Sequence, residues 1–539
     1  MRRDRLLYIG GIVIVAFLTF ARIRMVNALP DQGYFGKYSI TADQILAGHI
    51  PRDRLLDFSP LYLWFVVALR ALGIDFRSLQ IVLVSVAAVL VAIAARRFGT
   101  IATITAPLLL LGSRGALVCA TDLEPETLIL LFNSAALAFL GIDVSRSRGP
   151  AEDAPRDRET ARLRYLSGIL LGLSATCRPV AILAIIGLAI AGRSWRIVAG
   201  ALVPIIVILI VNYSLTHDVT LMDPGTVFYE GMNPSAAGYE GVQPRIVNDL
   251  ERQSRDPDFL HVAYRIVAAR ALGHPVTRAQ SNRYWTGKAI AFARAYPIAA
   301  LRLTARKVYF ALHSYDAYDL ATMARKNFLL APRIFIPFGV IVALAIAAML
   351  LRVRGIAPFV VTSAAFAIPL IVFYVTARQR NALLPPAVVL AAAGLAGIWS
   401  AAPRRRSLLA AFVVIVSILL SIDGPAQRED AAGWLGVRNN FDAAIALEQG
   451  GRWGEADALL QQLEAEGYRP IRENRAVSSI AYYRALAAAH LGRDPRPFLE
   501  RADREAPGNE HVLAMRGANK LLFELHDPIT AERAQRGGM

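Results

Sequence analysis

The sequence predicts an all-α membrane protein: a polytopic bundle of about eleven transmembrane helices with outer-face loops, followed by a soluble α-helical domain. Three observations predict it. Of 539 residues, 55% are hydrophobic and 19% are charged, where a soluble domain carries about a quarter charged. The mean hydropathy is +0.41. The apolar residues gather in long runs instead of recurring at strand or amphipathic-helix spacing, which is the pattern of membrane spans.

The runs place spans near residues 6–20, 79–95, 100–118, 125–142, 163–177, 179–192, 195–214, 333–351, 355–375, 382–400 and 406–422. No small-x-small cleavage site follows the basic start and apolar run of MRRDRLLYIGGIVIVAFLTF, so it reads as a retained first span. The short pair meeting at Cys177-Arg178-Pro179 reads as a broken helical hairpin, because Pro179 cannot continue a helix without a kink.

Residues 59–73, SPLYLWFVVALRALG, decide the topology. They are apolar but short for a span and carry Arg70. If they cross, Arg96, Arg97 and the basic segment 145–164 face outward. If they lie along the surface or re-enter, almost every basic cluster beside a span falls on the cytoplasmic side, as the positive-inside rule favours. The second arrangement puts loop 21–78, turn 121–126, loop 215–332, turn 376–381 and residues 423–539 on one outer face of a cell inner (plasma) membrane.

The net charge of +17 would suggest nucleic acid in a soluble protein. Here the basic residues flank apolar runs, as Arg2, Arg3 and Arg5 or Arg404 to Arg406 do, so the charge reads as topology and attraction to anionic lipid. Cys119 and Cys177, both in apolar runs, exclude a disulfide framework and read as small buried hydrophobes. The sequence contains no Walker loop, GxGxxG, HExxH or GxSxG, which removes support for a nucleotide-driven pump or a Rossmann nucleotide-sugar enzyme.

Two domains follow: a transmembrane part over residues 1–422 and a soluble helical part over residues 423–539. FDAAIALEQGGRWGEADALLQQLEAEGY and AYYRALAAAHLGRDPRPFLERADREAPGN read as helical hairpins turning at Gly450-Gly451 and at Gly492. Small residues at Ala444, Ala456, Ala485 and Ala489 resemble tetratricopeptide repeats, although the spacing from Gly451 to Gly492 exceeds their roughly 34-residue period. Such repeats bind a protein partner or scaffold; a generic four-helix cap is the other reading.

The candidate chemistry lies in the outer loops. Asp31 follows the first span closely, where partial desolvation makes a carboxylate a better general base. Asp122, Glu124 and Glu126 occupy a very short turn between two spans, where three carboxylates beside hydrocarbon need a partner or a task. One could bind a metal or orient an acceptor; Glu126, after Pro125, is accounted for by the helix dipole alone. Arg378 and Arg380 sit on the face opposite to where basic residues collect, as a lipid-borne phosphate would require. Arg306 and Lys307 are a weaker basic pair. Residues 223–242, DPGTVFYEGMNPSAAGYEGV, offer Tyr229 and Asn233 for stacking on and hydrogen bonding to a sugar or peptide.

These segments in order resemble the GT-C glycosyltransferase superfamily over roughly residues 1–400. The pattern is similar to the dolichyl-phosphate-mannose–protein mannosyltransferases and the bacterial aminoarabinose transferases of lipid A. It is carried by Asp31, ILAGHIP, SPLYLWFVVALRALG, TDLEPETL, LSGILLGLSATCRP, FYEGMNPSAAGY, ARKVYFAL and TARQRNALLPPAVVLAAAGL. The resemblance implies Asp31 as the acid serving the acceptor, Asp122 or Glu124 as the second-loop acid, and Arg378 and Arg380 on the donor phosphate. It implies inverting transfer of a sugar from a polyprenyl-phosphate donor to a glycan, lipid or protein acceptor. No cofactor is implied, and a divalent metal is left open because relatives differ. The chain departs from the family pattern at Gln32, Met232 and Ser59. A transporter or flippase would instead call for inverted repeats and mid-span charges, and a non-catalytic envelope-assembly scaffold would use residues 423–539 alone.

Overall fold

The computed structural model describes residues 11–22, 37–146, 154–218, 224–247, 260–317, 335–423, 441–448, 451–465, 480–505 and 515, apart from a few single positions inside those runs. The described residues are helical and contain no β-strand; one isolated bridge joins Tyr239 to Val375. The chain divides into two units, Met1–Asn248 with Leu260–Ile422, and Asp249–Phe259 with Asp423–Met539.

The helices of the first unit are α1 (Val13–Arg22), α2 (Lys37–Leu46), α3 (Pro60–Ala71), α4 (Phe76–Ala95), α5 (Thr100–Gly112) and α6 (Arg114–Ala120). They continue with α7 (Glu126–Arg146), α8 (Ala154–Cys177), α9 (Ala181–Ala191), α10 (Trp195–Thr216), α11 (Pro224–Gly231), α12 (Leu260–Leu272) and α13 (Arg278–Ala295). The last are α14 (Pro297–Leu312), α15 (Phe338–Leu350), α16 (Ala357–Val372), the single turn α17 (Ala377–Arg380), α18 (Leu384–Trp399) and α19 (Pro403–Leu419).

The expected apolar runs are helices, but their lengths correct the expected count of about eleven spans. Among the described residues only Ser78–Phe98, with 21 residues, and Trp195–Thr216, with 22, are long and apolar enough to cross a membrane unaided. The pair α5 and α6 passes together but is bent by 57°. The other apolar helices have 10–17 residues. At 1.5 Å per residue even the longest of these falls short of a hydrocarbon core about 30 Å thick. Proline bounds helices inside the apolar runs: α8 stops at Cys177 before Pro179, and α15 starts only after Pro337. Helix α3, with 12 residues, is likewise too short to cross alone. It lies against α2, where Arg70 reaches Asp43 at 2.8 Å and Ser39 Oγ at 2.6 Å.

Small residues let the helices approach closely. A Cβ on Gly168 or Gly172 of α8 would collide with backbone of α10 at Ile197 and Ala201, and one on Gly200 of α10 with backbone of α8 at Tyr165. The far side of α10 is apolar and uncovered: Leu202, Val203, Ile206, Val207 and Ile210 are 45% to 62% exposed. A contiguous apolar face of this kind is the surface that lipid contact requires. The central helix α18 is buried along most of its length between α5 and α15.

Among its described residues, loop 215–332 holds α11 before residue 259 and α12 to α14 after it. Trp285 gathers them, with its ring 4.8 Å from Tyr229 and 5.0 Å from Tyr264, and its Nε1 donating to the Tyr264 carbonyl. The absence of apolar periodicity reflects a core made from aromatic and small residues.

In the second unit α20 (Trp453–Ala465), α21 (Ile480–His490) and α22 (Arg496–Glu505) pack in sequence order. Ala444, Ala456 and Ala485 are fully buried at the contacts. Both turns share one geometry: Gly451 and Gly492 have φ near +70°, and the following Arg452 and Arg493 donate backbone N–H groups to Leu447 and Ala488 at 2.8 Å. Asp457 is held by Arg484 at 3.0 Å and Arg493 at 2.9 Å. Glu448 is buried, and burial, followed by the Asp457 charge, pushes its carboxyl up to about 8.

These helices give three tests. Gly172→Leu should destabilise the first unit by roughly 1–3 kcal/mol or prevent its assembly. Gly287→Ala, on an open helix face, should be neutral or stabilise by about 0.5–1 kcal/mol; thermal unfolding in detergent measures both. For Glu448 the folded state holds a proton between about 4.5 and about 8 that the unfolded chain releases, so the unit loses stability as pH rises through that window. Hydrogen exchange of peptides spanning Trp453–Ala465 in the full chain, corrected for intrinsic rates, should show protection weakening from pH 5 to 8. The Glu448→Gln variant should flatten the trend.

Candidate functional site

The acidic turn between α6 and α7 is fixed from behind. The Tyr62 hydroxyl donates to Gln80 Oε1 at 2.8 Å, and Gln80 Nε2 donates to the carbonyls of Ala120 at 2.8 Å and Asp122 at 2.7 Å. This clamp bridges α3, α4 and the turn, and its groups are all buried. Two buried polar residues thus satisfy backbone carbonyls that the tight turn leaves without helical partners.

In front of the turn lies a cavity of about 220 Å³. Glu124 and Glu126 line it together with Arg178, from the break between α8 and α9, and Arg378, from α17. The four charges form one network. Arg178 Nη2 lies 2.6 Å from Glu126 Oε1, Arg378 Nη1 lies 3.1 Å from Glu124 Oε2, and Arg378 Nε lies 3.9 Å from Glu126 Oε1. Both carboxylates are almost fully buried and both guanidiniums keep a small exposed edge toward the cavity. The two buried carboxylates are thereby tolerated because cations from two distant breaks in the chain meet them.

The rest of the wall is mostly apolar, with a few polar side chains. Tyr38, Asp57 and Ser59 come from the first loop, His261 from α12, and Phe366, Phe373 and Tyr374 from α16 and the turn after it. The Tyr38 hydroxyl accepts the Ser59 backbone N–H at 3.1 Å. Burial, and then the Glu124 charge, pushes that hydroxyl above its ordinary value, so it stays protonated and able to donate. Asp57 pairs with Arg278 of α13, which ties the long loop to the cavity rim. A site with fixed cations, carboxylates and an apolar flank suits an amphiphilic ligand carrying a phosphate.

The residues expected at the site divide. Glu124 and Arg378 line the cavity together. Asp31 lies outside the described residues. Asp122 is buried in the turn with its carbonyl on Gln80 and does not line the cavity, so Glu126 takes its expected place beside Glu124. Arg380 also departs from expectation. It is buried against Asp316 and the carbonyls of His313 and Tyr315, on the far side of α17 from Arg378. Residues two apart on a helix point in nearly opposite directions, which is why the pair splits. Lys307 is fully buried, donates to the Val372 carbonyl at 3.1 Å and lies outside the cavity wall; burial lowers its ammonium to about 8.

The two substrate-loop residues have structural partners instead. Asn233 Nδ2 donates to the carbonyls of Tyr229, Glu230 and Val242 at 2.9, 3.1 and 3.0 Å, and its Oδ1 accepts the Ser235 N–H. That saturates the carboxamide and staples the loop. Tyr229 packs on Trp285, and the loop's contribution to the cavity is Val227. Sequence reasoning passed over Arg178, noting only the proline after it; a charged residue at the break of two apolar runs was the available signal. Among the described residues no group of three or more His, Cys, Asp or Glu is arranged to hold a metal ion.

No family model matches the chain, and no curated protein and no solved structure matches it either.

Proposed function

We propose that the chain is a multi-pass membrane glycosyltransferase of the GT-C type, taking a sugar from a polyprenyl-phosphate donor at the outer face. The observation that carries the reading is the convergence of Glu124, Glu126, Arg178 and Arg378 on one cavity with an aromatic flank. The bundle reading is supported by the two long apolar helices, the shorter apolar helices packed with them, and the uncovered apolar face of α10.

In this reading the donor phosphate enters between Arg178 and Arg378 and is held by their N–H edges, while Glu124 and Glu126 keep both guanidiniums aimed at it. The prenyl chain follows the side of Phe366 and Phe373. An acceptor hydroxyl or amine attacks the anomeric carbon from the opposite face. Its bond to that carbon forms as the bond from carbon to phosphate oxygen breaks. The bonding pair leaves on polyprenyl phosphate, whose added charge the two arginines stabilise. The acceptor's proton goes to a carboxylate, for which Asp31, which precedes α2 in the sequence, is the base the family resemblance implies. The configuration inverts, and no covalent enzyme intermediate forms. The sugar and the acceptor are open to the experiment below.

The test follows conversion of labelled polyprenyl-phosphate sugars to polyprenyl phosphate by the protein in lipid, with an envelope extract as acceptor source. Wild type should consume one donor of the panel. Asp31→Asn should slow transfer by about 10²–10⁴-fold while still binding donor. Arg378→Gln should weaken donor binding by roughly 10–100-fold, the value of a charge-assisted hydrogen bond of about 1.5–3 kcal/mol. Consumption of no donor by wild type would remove the glycosyltransferase reading and bring the transporter and scaffold readings forward. Equal rates for wild type and Asp31→Asn would remove Asp31 as the base.

A further inference from the structure

A second cavity, of about 230 Å³, opens on the other side of α17. Its wall includes Arg114, at the bend between α5 and α6, and Arg380. Ser113, Ser314, Asn381 and Ser421 add neutral polar groups. It shares no lining residue with the first cavity.

The cations here are arranged unlike those of the first site. Arg380 has a carboxylate partner, Asp316. Arg114 forms no ion pair among the described residues, and its buried Nε has no hydrogen-bond partner. Each guanidinium lies over a phenyl ring of one short segment: Arg114 Cζ is 5.0 Å from the Phe335 ring and Arg380 Cζ is 4.8 Å from the Phe338 ring. Stacking takes one face of the Arg114 guanidinium and leaves its in-plane N–H edge for an acceptor, whereas the Nη atoms of Arg380 already donate to His313, Tyr315 and Asp316. Among the described residues that line the pocket, one carboxylate stands against two arginines.

The chain accepts costs to build this pocket. Arg114 interrupts an apolar stretch that would otherwise make one long span, and the helix bends by 57° there. An ionisable side chain with a buried, unpartnered Nε between two apolar helices is expensive. A solvated arginine would need no bend, no ring beneath it and no enclosure.

We infer that this second cavity binds a phosphoryl group through Arg114, with the charge of Arg380 beside it, independently of the glycosyl-transfer site. A phosphate offers several acceptor oxygens to the Arg114 edge, the hydroxyls and a carboxamide, a larger set than a carboxylate uses. The group is either a soluble phosphate or the headgroup of an anionic lipid, which share this chemistry.

The test titrates the full-length protein with inorganic phosphate by calorimetry, first in detergent. Wild type should show a saturable event that Arg114→Gln weakens at least tenfold and that Arg378→Gln, in the other cavity, leaves within twofold. Arg114→Lys, which keeps the charge and loses the fork, should fall between, and serves as the reading should the glutamine variant not fold. The titration is then repeated in phosphatidylcholine nanodiscs with and without phosphatidic acid. A right-shift by phosphatidic acid in wild type but not in Arg114→Gln upholds the site and makes a lipid headgroup its ligand; no shift upholds it with soluble phosphate. The inference is overturned if wild type shows no event, if the Arg114→Gln curve superimposes on wild type, or if the event disappears with Arg378→Gln alone.

Discussion

The ion network of Glu124, Arg378, Glu126 and Arg178 is the constraint on which the first unit depends. Each member is costly where it sits, because removing a charge from water costs several kcal/mol and only a well-placed partner offsets it. The partners come from three separate places: the turn after α6, the break after α8 and the single turn α17. Pairing them fixes where three chain reversals stand relative to one another. Losing one member would leave a buried charge without its partner, a change of about 3–5 kcal/mol in other buried pairs. The same pairing gives the cavity its chemistry, since the edges of the guanidiniums that the carboxylates leave open face the space between them.

The neutral clamp of Tyr62 and Gln80 acts on the same turn from the opposite side. It holds backbone rather than charge, so the turn keeps its shape when the network exchanges partners with a ligand. Rigid support behind and adjustable ion pairs in front is the arrangement a phosphate site needs, because an arginine must turn from its carboxylate to the incoming anion without the loop collapsing.

Much of this was legible in the sequence, and the remainder was not for physical reasons. Apolar runs located the helices because burial and lipid contact both demand them. The break at Cys177-Arg178-Pro179 was legible from Pro179, and the helix stops at Cys177. The bend between α5 and α6 was not, because hydropathy counts side chains and runs on through it while a helix ends on backbone geometry. Asn233 carried the composition of a sugar-binding loop, yet the residue that best satisfies three carbonyls is the same residue that would bind a sugar. Lys307 was legible as basic but not as buried, because a lysine reads as solvated even where, as here, it shares one helix face with the buried Ala300, Leu303 and Phe310 of α14. Gly451 and Gly492 were fully legible, since a helical hairpin turn that needs positive φ leaves few residue types to choose from.

Arg378 and Arg380 show how far spacing alone carries. In the sequence they form one basic motif, and the natural reading gives them one ligand. Two residues on a helix are separated by about 200° of rotation, so a helical turn sends them to opposite sides however close they stand in sequence. Ala377–Arg380 is such a turn, capped by the Thr376 side chain, which accepts the Gln379 N–H. The cap matters because it selects helix over an extended strand at this point, and an extended pair two apart would have pointed both arginines into one cavity. The chemistry assigned to each arginine therefore rests on one threonine and one turn of helix: with the turn in place, Arg378 belongs to the carboxylates of the first cavity and Arg380 to the second.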